Sequence, residues 1–268
     1  MKRVADMYDL LDLDRYPLDR TGSAAYRALV ASCRAQLEAD GLFNLDGLMR
    51  GASVAAALDE LLPLIATQAF THSRRHNIYF LPHVAGLDAD HPALGMFETT
   101  NRTLCADQMP QSLVCRVYEW PPLAAFLADV LGKAALHTMA DPLARANVMA
   151  YRAGEALNWH FDRSEFTTTL LLQAPVRGGS FQYRRDLRSE TDPNYDGVAA
   201  LIRGEDAKVM TLPLAAGTLN VFKGKNTAHR VTPAEGDRAR VIAVLSYYER
   251  PGVMFSTEER IGFYGRAG

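Results

Sequence analysis

Asn158-Trp159-His160-Phe161-Asp162, with Thr227-Ala228-His229 and Arg240 further along the chain, is the most informative motif of this sequence. In an extended strand His160 and Asp162 point to the same side, because side chains alternate between the two faces. A second strand can bring His229 to the same point from across a barrel. Two imidazoles and one carboxylate on one face of a divalent metal leave three coordination positions open, as in non-haem Fe(II) sites. The pattern therefore predicts an iron centre inside a β-barrel.

Arg240 extends this pattern beyond the three predicted ligands. It follows the distal histidine on the next predicted strand, and a guanidinium offers a rigid forked donor for a carboxylate. A dicarboxylate cosubstrate would therefore bind the metal at one end and the arginine at the other. The alternative is that His-x-Asp arises by chance and that the histidines are hydrogen-bonded structural residues. The order of all four residues within a β-rich half favours the metal site.

The length and charge of the chain bound its class. A chain of 268 residues with 48% hydrophobic content is long enough for one large core, so we expect a single domain over residues 1–268. The 29 basic and 31 acidic residues are spread along the chain and give a formal net charge of −2. This balance gives no electrostatic footprint for nucleic acid or an anionic membrane surface, and it fits a small-molecule substrate better. The sequence leaves the oligomeric state open, a homodimer included.

Cysteine usage and hydropathy indicate a cytoplasmic location. Cys33, Cys105 and Cys115 have no metal-ligand spacing, and an odd number of cysteines argues against a disulfide framework. We expect these three side chains to be buried, reduced thiols. The N-terminal residues carry charges without an apolar segment, and no stretch approaches the ~18 apolar residues of a membrane span. A ferrous site, which needs reductant, agrees with this location.

The first half of the chain, residues 1–140, is predicted to be mostly helical flank and loops. Residues 23–39 and 53–70 are rich in alanine and leucine at helical spacing, and prolines open a third predicted helix over residues 122–132. Their apolar faces predict packing against a barrel rather than a cofactor surface. Residues 82–112 contain several prolines and no clear periodicity. They predict a long loop that borders the site, and whether it closes as a mobile lid is left open.

Strand and turn signals dominate the second half. Eight short strands separated by turn residues predict an α+β protein with a double-stranded β-helix, the cupin-like jelly roll, over residues 147–250. N-terminal helices would flank this core, and a short helix over residues 194–203 would interrupt one strand connection. The predicted strands are residues 147–151, 159–162, 166–173, 179–185, 208–212, 218–222, 229–231 and 240–248.

A family resemblance rests on five strings between residues 147 and 266. They are Asn158-Trp-His-Phe-Asp-Arg-Ser-Glu-Phe166, Thr169-Leu-Leu-Leu-Gln173, Gly178-Gly-Ser-Phe181, His229-Arg-Val-Thr-Pro233 and Ser246-Tyr-Tyr-Glu-Arg-Pro-Gly252. Together they resemble the Fe(II)/2-oxoglutarate-dependent dioxygenases over nearly half the chain. The resemblance is closer to the bacterial branch of carrier-independent amino-acid hydroxylases and halogenases. Residues 74–80 and the N-terminal helices resemble the same branch in outline.

This resemblance implies Fe(II) as cofactor, 2-oxoglutarate as cosubstrate and O2 as oxidant. Halogenases of the branch have glycine or alanine in place of the triad carboxylate, which opens a coordination position for chloride. Asp162 fills that position here, so the resemblance implies the hydroxylase type. The implied reaction hydroxylates an unactivated C–H bond of a free amino acid or a similarly small polar metabolite in biosynthesis. The cosubstrate is decarboxylated to succinate and CO2.

The resemblance also implies residues that bind the cosubstrate. In the family, the arginine that binds the 5-carboxylate follows the distal histidine at the distance of Arg240 and opens the final strand. Arg238 is the rival, because strand parity places both arginines on one face. Tyr151 and Thr169 are candidate hydroxyl partners for the cosubstrate carboxylates, on strands expected to lie beside the metal-bearing strand. A structural role is the favoured alternative for each hydroxyl.

Candidate substrate-binding residues form two polar clusters. The resemblance makes the first a candidate for gripping a substrate carboxylate, whereas its residues alone would indicate an exposed turn. The second follows the triad aspartate at the barrel mouth, where it either recognises a zwitterionic substrate or is solvated. The clusters are Arg74, Arg75, His76 and Asn77, and Arg163, Ser164 and Glu165.

Two other groups near the motif are expected to be structural. Trp159 and Phe161 flank His160 with the opposite parity and should pack in the core. Residues 184–188, Arg-Arg-Asp-Leu-Arg, should form a solvated loop whose charges compensate one another, rather than a nucleic-acid patch.

Three alternatives to the hydroxylation of a free amino acid remain at this point. The same iron chemistry can act on a carrier-bound or peptidyl substrate. It can also give desaturation or cyclisation, since the outcome depends on substrate geometry. A metal-binding jelly roll without catalysis is the third alternative, and the intact set of ligands and arginine disfavours it. The substrate and the stereochemistry of oxidation do not follow from the sequence.

Overall fold

Two antiparallel β-sheets face each other, and helices cover the outer face of the larger one. These features come from a computed structural model that describes residues 6–81 and 83–268. The α-helices are α1 (Met7–Leu10), α2 (Ala24–Asp40), α3 (Gly51–Gln68), α4 (Leu113–Tyr118), α5 (Pro121–Leu131), α6 (Tyr195–Ile202) and α7 (Thr257–Tyr264). Single 3-10 turns lie at Pro92–Leu94 and Ala106–Gln108.

The described residues form 15 strands. They are β1 (Leu42–Leu45), β2 (Phe70–His76), β3 (Phe97–Cys105), β4 (His137–Thr138), β5 (Ala146–Tyr151), β6 (Leu157–His160), β7 (Thr167–Gln173), β8 (Arg177–Gly178), β9 (Phe181–Arg184), β10 (Met210–Leu212), β11 (Leu219–Phe222), β12 (Ala228–Val231), β13 (Ala234–Glu235), β14 (Arg240–Leu245) and β15 (Tyr247–Tyr248).

The strand order is that of a jelly roll. The major sheet has seven strands in the order β1-β11-β7-β14-β5-β3-β2, and the minor sheet has four in the order β10-β9-β12-β6. Two short pairs, β13-β8 and β15-β4, complete the pairing. The α+β class and the jelly-roll core predicted from the sequence are confirmed.

Side-chain alternation along β14 separates the core from the interior of the roll. Val241, Ala243 and Leu245 belong to the large apolar cluster that the helices α2 to α5 form with the outer face of the major sheet. Arg240 and Ile242 point the other way and line the cavity between the sheets. This period of two is the geometry that a half-buried strand imposes. The helices therefore support the site from behind without contributing its chemistry.

The helices begin and end close to the predicted positions because local capping signals fix them. The hydroxyl of Ser23 accepts a hydrogen bond from the backbone N–H of Tyr26 at 3.1 Å, which caps α2. Gly41 then ends α2 in the left-handed conformation, with φ of 77°. The inserted helix α6 is likewise bounded by Asn194 and Arg203, as the sequence predicted.

The predicted long loop over residues 82–112 is wrong for its second half. Phe97–Cys105 forms the nine-residue strand β3, which joins β2 and β1 in extending the major sheet with strands from the first half of the chain. Thr99, Asn101 and Thr103 face the cavity. Because this inward face is polar, the strand lacks the apolar alternation by which strands are recognised. Pro82, where the predicted loop began, lies outside the described residues.

The sequence predicts three buried, reduced cysteine thiols and no membrane span. Cys33, Cys105 and Cys115 are buried and free, as expected. Within residues 6–81 and 83–268, no helix is both long enough and apolar enough to cross a membrane.

A fully buried carboxylate fastens the C-terminal segment to the roll. Oδ1 of Asp141 accepts hydrogen bonds from the backbone N–H groups of Leu143 at 2.9 Å and Ala144 at 3.0 Å. Its Oδ2 accepts from the backbone of Phe255 at 3.0 Å and from Nε of Arg260 at 2.8 Å. Every bond is charge-assisted and shielded from water, which makes the pair strong only while both partners are present.

We predict that Asp141→Ala lowers the free energy of unfolding by about 3–5 kcal/mol, because it leaves the Arg260 guanidinium without its buried partner. Urea denaturation of both proteins measures the difference. The matched control is Glu205→Ala, which breaks the exposed pair with Arg203 and should cost less than about 1 kcal/mol. Equal losses in the two variants would contradict the assignment of Asp141 as the anchor.

Candidate metal and substrate site

The two histidines of the sequence motif are direct cross-strand neighbours in the minor sheet. His160 ends β6 and lies opposite His229 of β12, with ring centroids 4.1 Å apart. Nδ1 of His160 bonds the carbonyl of Asn158 at 2.8 Å, and Nδ1 of His229 bonds the carbonyl of Thr227 at 3.0 Å. Each carbonyl lies two residues earlier in the chain. Since Nδ1 must donate to a carbonyl, both Nε2 atoms are unprotonated acceptors in the neutral rings, as metal ligation requires.

Asp162 brings its carboxylate to both histidines. Its Oδ1 lies 3.5 Å from Nε2 of His160 and 3.5 Å from Nε2 of His229. The candidate ligand atoms of the three residues all lie within 4.8 Å of one another. Asp162 is two residues beyond the end of β6, so the predicted strand over residues 159–162 begins and ends two residues too late. Loop contacts, rather than strand alternation alone, fix the carboxylate.

Two contacts hold Asp162 in that position. The hydroxyl of Thr167 donates to Oδ2 at 2.6 Å, and the backbone N–H of Asp162 donates to the carbonyl of Gly224 at 3.1 Å. A Cβ on Gly224 would lie 2.0 Å from Oδ2 of Asp162, far inside van der Waals contact. The glycine is therefore required by the carboxylate beside it.

Burial and charge act against each other at these three groups. At Asp162 burial alone would raise the pKa, but His229 and His160 outweigh it and hold that pKa well below its usual range. Burial, followed by the neighbouring His229, lowers the pKa of His160. At His229 burial is outweighed by the charge of Asp162, which raises the pKa. The carboxylate is consequently ionised at neutral pH, as a metal ligand must be.

A cavity of about 750 Å³ opens between the two sheets and contains all three groups on its wall. The minor sheet contributes the histidines, and the major sheet contributes the opposite wall. Phe222 lies 4.8 Å from the ring of His229, Phe181 lies 5.9 Å from the same ring, and Phe80 lies 5.8 Å from His160, measured between ring centroids. These three phenylalanines exclude water from the inner side of the imidazoles.

Arg240 enters the cavity from the major sheet. Its side chain is 2% exposed, and its Nε donates to the carbonyl of Gly179 at 3.0 Å. Nη1 is buried with no hydrogen-bond partner among the described residues. Burial lowers the pKa of Arg240 to about 10, so the group stays charged at neutral pH. A buried guanidinium without a counterion is costly, and the cavity is where an anion would compensate it.

Arg238 lies in a different environment from Arg240, and the two candidate hydroxyl residues lie in a different sheet from the one predicted. Arg238 is exposed, donates to the carbonyl of Pro175 at 3.3 Å and does not line the cavity. Tyr151 and Thr169 do line the cavity, but the predicted adjacency to the metal-bearing strand is wrong. Their strands β5 and β7 flank β14 in the major sheet, whereas β6 lies in the minor sheet. Tyr151 lies opposite Arg240 in the register of β5 and β14, whereas Thr169 lies opposite Val244, four residues further along β14.

The first polar cluster lies on the end of β2 rather than on an exposed turn, and its four members separate. Arg74 lines the cavity, with its guanidinium 5.0 Å from the ring of Phe80. Arg75 is exposed, has the opposite strand parity and does not line the cavity. His76 lines it, but Nδ1 bonds the carbonyl of Asn77 at 2.8 Å and Nε2 bonds the hydroxyl of Thr99 at 2.7 Å. Both ring nitrogens are thus already used.

Asn77 shapes the turn that follows instead of facing the cavity. Its amide nitrogen donates to the carbonyl of Leu81 at 2.6 Å, and its oxygen accepts from the N–H of Tyr79 at 3.0 Å. The turn holds Phe80 at a φ of 55°, in the left-handed region that non-glycine residues rarely adopt. Phe80 stacks on His76 with ring centroids 4.2 Å apart. The expected direct role of Asn77 in gripping substrate is therefore replaced by a role in positioning Phe80.

The second polar cluster also divides. Arg163 lines the mouth of the cavity and pairs with Glu259 of α7 at 2.6 Å. Glu165 pairs with Lys133 at 2.7 Å, 58% of its side chain is exposed, and it does not line the cavity. Ser164 is exposed and also lies outside the lining. Of this cluster, only Arg163 is placed to meet a ligand.

Several cavity residues were not among the predicted site residues. Arg188 was expected on a solvated loop, but it lines the cavity with its guanidinium 3.9 Å from the ring of Phe161. Tyr79 and His72 line the cavity as well. Trp159 and Phe161 pack as predicted, in the apolar cluster formed with α6. The parity of Phe161 did not reveal that one face of its ring also borders the cavity.

The fold is similar to that of solved iron and 2-oxoglutarate enzymes. SnoN, an epimerase from nogalamycin biosynthesis in complex with Fe³⁺, alpha ketoglutarate and nogalamycin RO, gives a TM-score of 0.56 at 18% identity, over 82% of this chain and 84% of that one. HygX from Streptomyces hygroscopicus, with nickel and 2-oxoglutarate bound, gives 0.51 at 14% identity, over 81% and 85%. A prolyl-4-hydroxylase from Pseudomonas putida gives 0.50 at 15% identity, over 80% and 97%. At such identities the likeness establishes the fold.

The sequence itself matches one family. No curated protein matches the chain at a significant level. A family model described as Halogenase D matches residues 27–257, a span that includes the converging histidines, Asp162 and Arg240. Because this match extends over most of the chain, the protein belongs to the Halogenase D family.

Proposed function

We propose that this protein is an Fe(II)- and 2-oxoglutarate-dependent oxygenase that hydroxylates a C–H bond of a free amino acid or a similarly small polar metabolite. The observation that carries the proposal is the complete triad of His160, Asp162 and His229 on the wall of one cavity. When bound, ferrous iron with 2-oxoglutarate and O2 supplies the oxidising power to break an unactivated C–H bond, and 2-oxoglutarate leaves as succinate and CO2.

The donor set of the triad fits a ferrous ion. Two neutral imidazoles with one carboxylate suit a divalent transition metal that needs open positions. The carbonyls that receive the Nδ1–H groups and the hydroxyl of Thr167 orient all three ligands before any metal arrives. Such outer partners raise affinity by preorganisation. His160, Asp162 and His229 would therefore hold the iron.

The cavity also offers a place for the distal carboxylate of 2-oxoglutarate. Arg240 presents a buried, unpartnered Nη1, and a guanidinium binds a carboxylate by charge-assisted hydrogen bonds. Tyr151 lies opposite Arg240 in the β5–β14 register, with the guanidinium 6.0 Å from its ring. In this proposal Arg240 binds the 5-carboxylate and Tyr151 forms the wall beside it, while Thr169, opposite Val244, lines the same cavity further along β14.

The remaining lining residues exclude water and orient the substrate. The phenylalanines around the imidazoles keep the inner part of the cavity apolar, which restricts access by water and unwanted reductants. Arg74 and Arg163 lie at positions from which they can bind a substrate carboxylate. The resemblance to amino-acid hydroxylases supports a free amino acid as the substrate.

The presence of Asp162 favours oxygenation over halogenation, despite the name of the family. A halide would need the coordination position that this carboxylate fills, and the carboxylate is fixed by Thr167 and by the close approach of Gly224. Desaturation or cyclisation remains an alternative outcome of the same chemistry, as does a carrier-bound or peptidyl substrate. The composition of the product distinguishes these outcomes.

The direct test is anaerobic loading with Fe(II) and 2-oxoglutarate, followed by exposure to O2 with a panel of free amino acids. Succinate and substrate mass are measured together. A gain of one oxygen with stoichiometric succinate supports the proposal, and a loss of two hydrogens indicates desaturation. If neither Fe(II) nor 2-oxoglutarate binds, the proposal fails.

Asp162→Gly is expected to abolish hydroxylation and to weaken Fe(II) binding by more than about 100-fold, beyond the loss typical of an outer partner. Anaerobic titration with Fe(II) measures the affinity, and addition of chloride tests whether the vacated position accepts a halide. Asp186→Asn, in an exposed loop, is the control. Hydroxylation at the original rate in Asp162→Gly would contradict the assignment of Asp162 as a metal ligand.

Gly224→Ala is expected to weaken Fe(II) binding by about 10–100-fold, because the new methyl group must push Oδ2 of Asp162 aside. The same titration measures it. Gly51→Ala is the matched control, since a Cβ there meets no atom within 4 Å. Unchanged affinity in Gly224→Ala would show that the carboxylate is not held where a ligand must be.

Arg240→Ala is expected to raise the apparent KM for 2-oxoglutarate by about 30-fold or more, equivalent to about 2 kcal/mol, with a smaller effect on the KM of the substrate. Arg238→Ala should leave both constants near their original values, because that side chain is exposed. Steady-state succinate formation at varied 2-oxoglutarate gives these constants. The reverse pattern would assign the carboxylate to Arg238.

A further inference from the structure

The charged side chains that line the cavity are almost all cationic. They are Arg74, Arg163, Arg188, Lys225 and Arg240, and Asp162 is the sole carboxylate among the lining residues that the structure describes. Asp162 is committed to the two histidines. A cavity with this balance favours anionic ligands and disfavours a substrate whose side chain is cationic.

Two of these cations are compensated by the protein itself. Arg163 pairs with Glu259 at 2.6 Å, and Lys225 pairs with Glu190 at 2.9 Å. By contrast, Arg74, Arg188 and Arg240 have no carboxylate within 4 Å in the described part of the chain. In the proposed function the 5-carboxylate of 2-oxoglutarate binds Arg240 and a substrate carboxylate binds Arg74. One guanidinium, that of Arg188, then remains unmatched.

Arg188 is held rigidly at one corner of the cavity. Its Nε and Nη2 both donate to the carbonyl of Lys225, at 3.0 and 2.7 Å, and neither bond uses Nη1. Cζ of the guanidinium lies over the ring of Phe161, the residue between two of the triad members, at 3.9 Å from the ring centroid. This arrangement fixes the fork in one orientation, which reduces the entropy that ligand binding would cost.

A second unused donor lies at the same corner. Tyr79 stacks against Phe161 with ring centroids 6.0 Å apart, and its hydroxyl is buried without a partner among the described residues. Burial raises the pKa of Tyr79 to about 12, so the hydroxyl keeps its proton. The buried Tyr79 hydroxyl and the Arg188 guanidinium are therefore two neighbouring donors that an anionic acceptor could satisfy together.

We propose that Arg188 and Tyr79 bind a second anionic group of the substrate, so that the substrate is an amino acid or related metabolite with an acidic side chain. This inference rests on the proposed function, because it counts the guanidinium groups left without an anion after 2-oxoglutarate has bound Arg240. The second anion is a carboxylate or a phosphate, since both accept from a guanidinium fork and a phenol. Arg188 and Tyr79 thereby determine specificity without touching the metal.

The test compares acidic and neutral probes on the full-length protein. The protein is loaded with Ni(II) in place of Fe(II) and saturated with 2-oxoglutarate, so that the cosubstrate position is filled and no turnover occurs. Calorimetric titrations then use L-glutamate against L-glutamine, and O-phospho-L-serine against L-serine. The first pair reports a carboxylate and the second a phosphate. We expect at least one acidic probe to bind about 10-fold or more tightly than its neutral partner.

Variants separate recognition from support of the loop. Arg188→Gln should remove the preference for the acidic probe, and Tyr79→Phe should reduce it. Arg185→Gln, in the same segment but paired with the exposed Asp186 at 2.8 Å, should keep it. Loss of affinity for acidic and neutral probes alike in Arg188→Gln would mean that Arg188 only supports Phe161 and the loop, and would overturn the proposal.

The outcomes also separate this inference from the proposed function. If Ni(II) and 2-oxoglutarate bind but the wild-type protein shows no preference for either acidic probe, or binds neither, the inference about Arg188 falls and the oxygenase proposal stands. If Ni(II) and 2-oxoglutarate fail to bind, the oxygenase proposal falls first.

Discussion

The pairing of β6 with β12 is the constraint on which the rest of the site depends. It sets His160 opposite His229, and each imidazole is oriented by a carbonyl two residues earlier on its own strand. A register slip of one residue would turn a histidine away from the cavity and toward α6. The apolar cluster of Trp159 and Phe161 with that helix opposes the slip, because the same slip would expose both aromatic rings. The same strand register is thus required for core packing on the outer face of the minor sheet and for the ligand geometry on its inner face.

The two sheets divide the chemistry of the cavity between them. The minor sheet provides the imidazoles, while the major sheet provides Arg240 through the inward parity of β14. A charged group buried this deeply opposes folding, since its desolvation is compensated by one carbonyl bond to Gly179 and by no carboxylate of residues 6–81 or 83–268. Pro175 excludes a side chain at the neighbouring Gly179, where a Cβ would lie 2.6 Å from Cγ of Pro175 and 3.2 Å from Cδ of Arg240. The protein therefore carries a local instability that an anionic ligand relieves.

Features fixed by residues close together in the sequence could be predicted, whereas features that depend on contacts between distant residues could not. The jelly roll and its helices could be predicted, because alternation and capping are local signals. Strand β3 could not, since its inward threonines and asparagine replace the apolar residues that mark a strand. The triad residues could be named from their spacing, but the support of Asp162 by Gly224 joins positions 62 residues apart and leaves no local trace. Arg188 shows the same limit, because the charged residues around it in the sequence predict a solvated loop, whereas its role arises from contact with Phe161.

Membership of a family named for halogenases makes the support of Asp162 the decisive detail of the centre. A carboxylate present by accident would be expected to lack dedicated partners. Here Thr167 donates to the carboxylate, the carbonyl of Gly224 accepts from the backbone N–H of Asp162, and the glycine leaves room for Oδ2 where any side chain would collide. These contacts come from β7 and from the loop before β12, so they tie the carboxylate to both sheets. A halide position would require the loss of the carboxylate and would leave the hydroxyl of Thr167 without its acceptor. The fold around Asp162 is thus built for a three-ligand centre, whose open positions suit a chelating cosubstrate and oxygen.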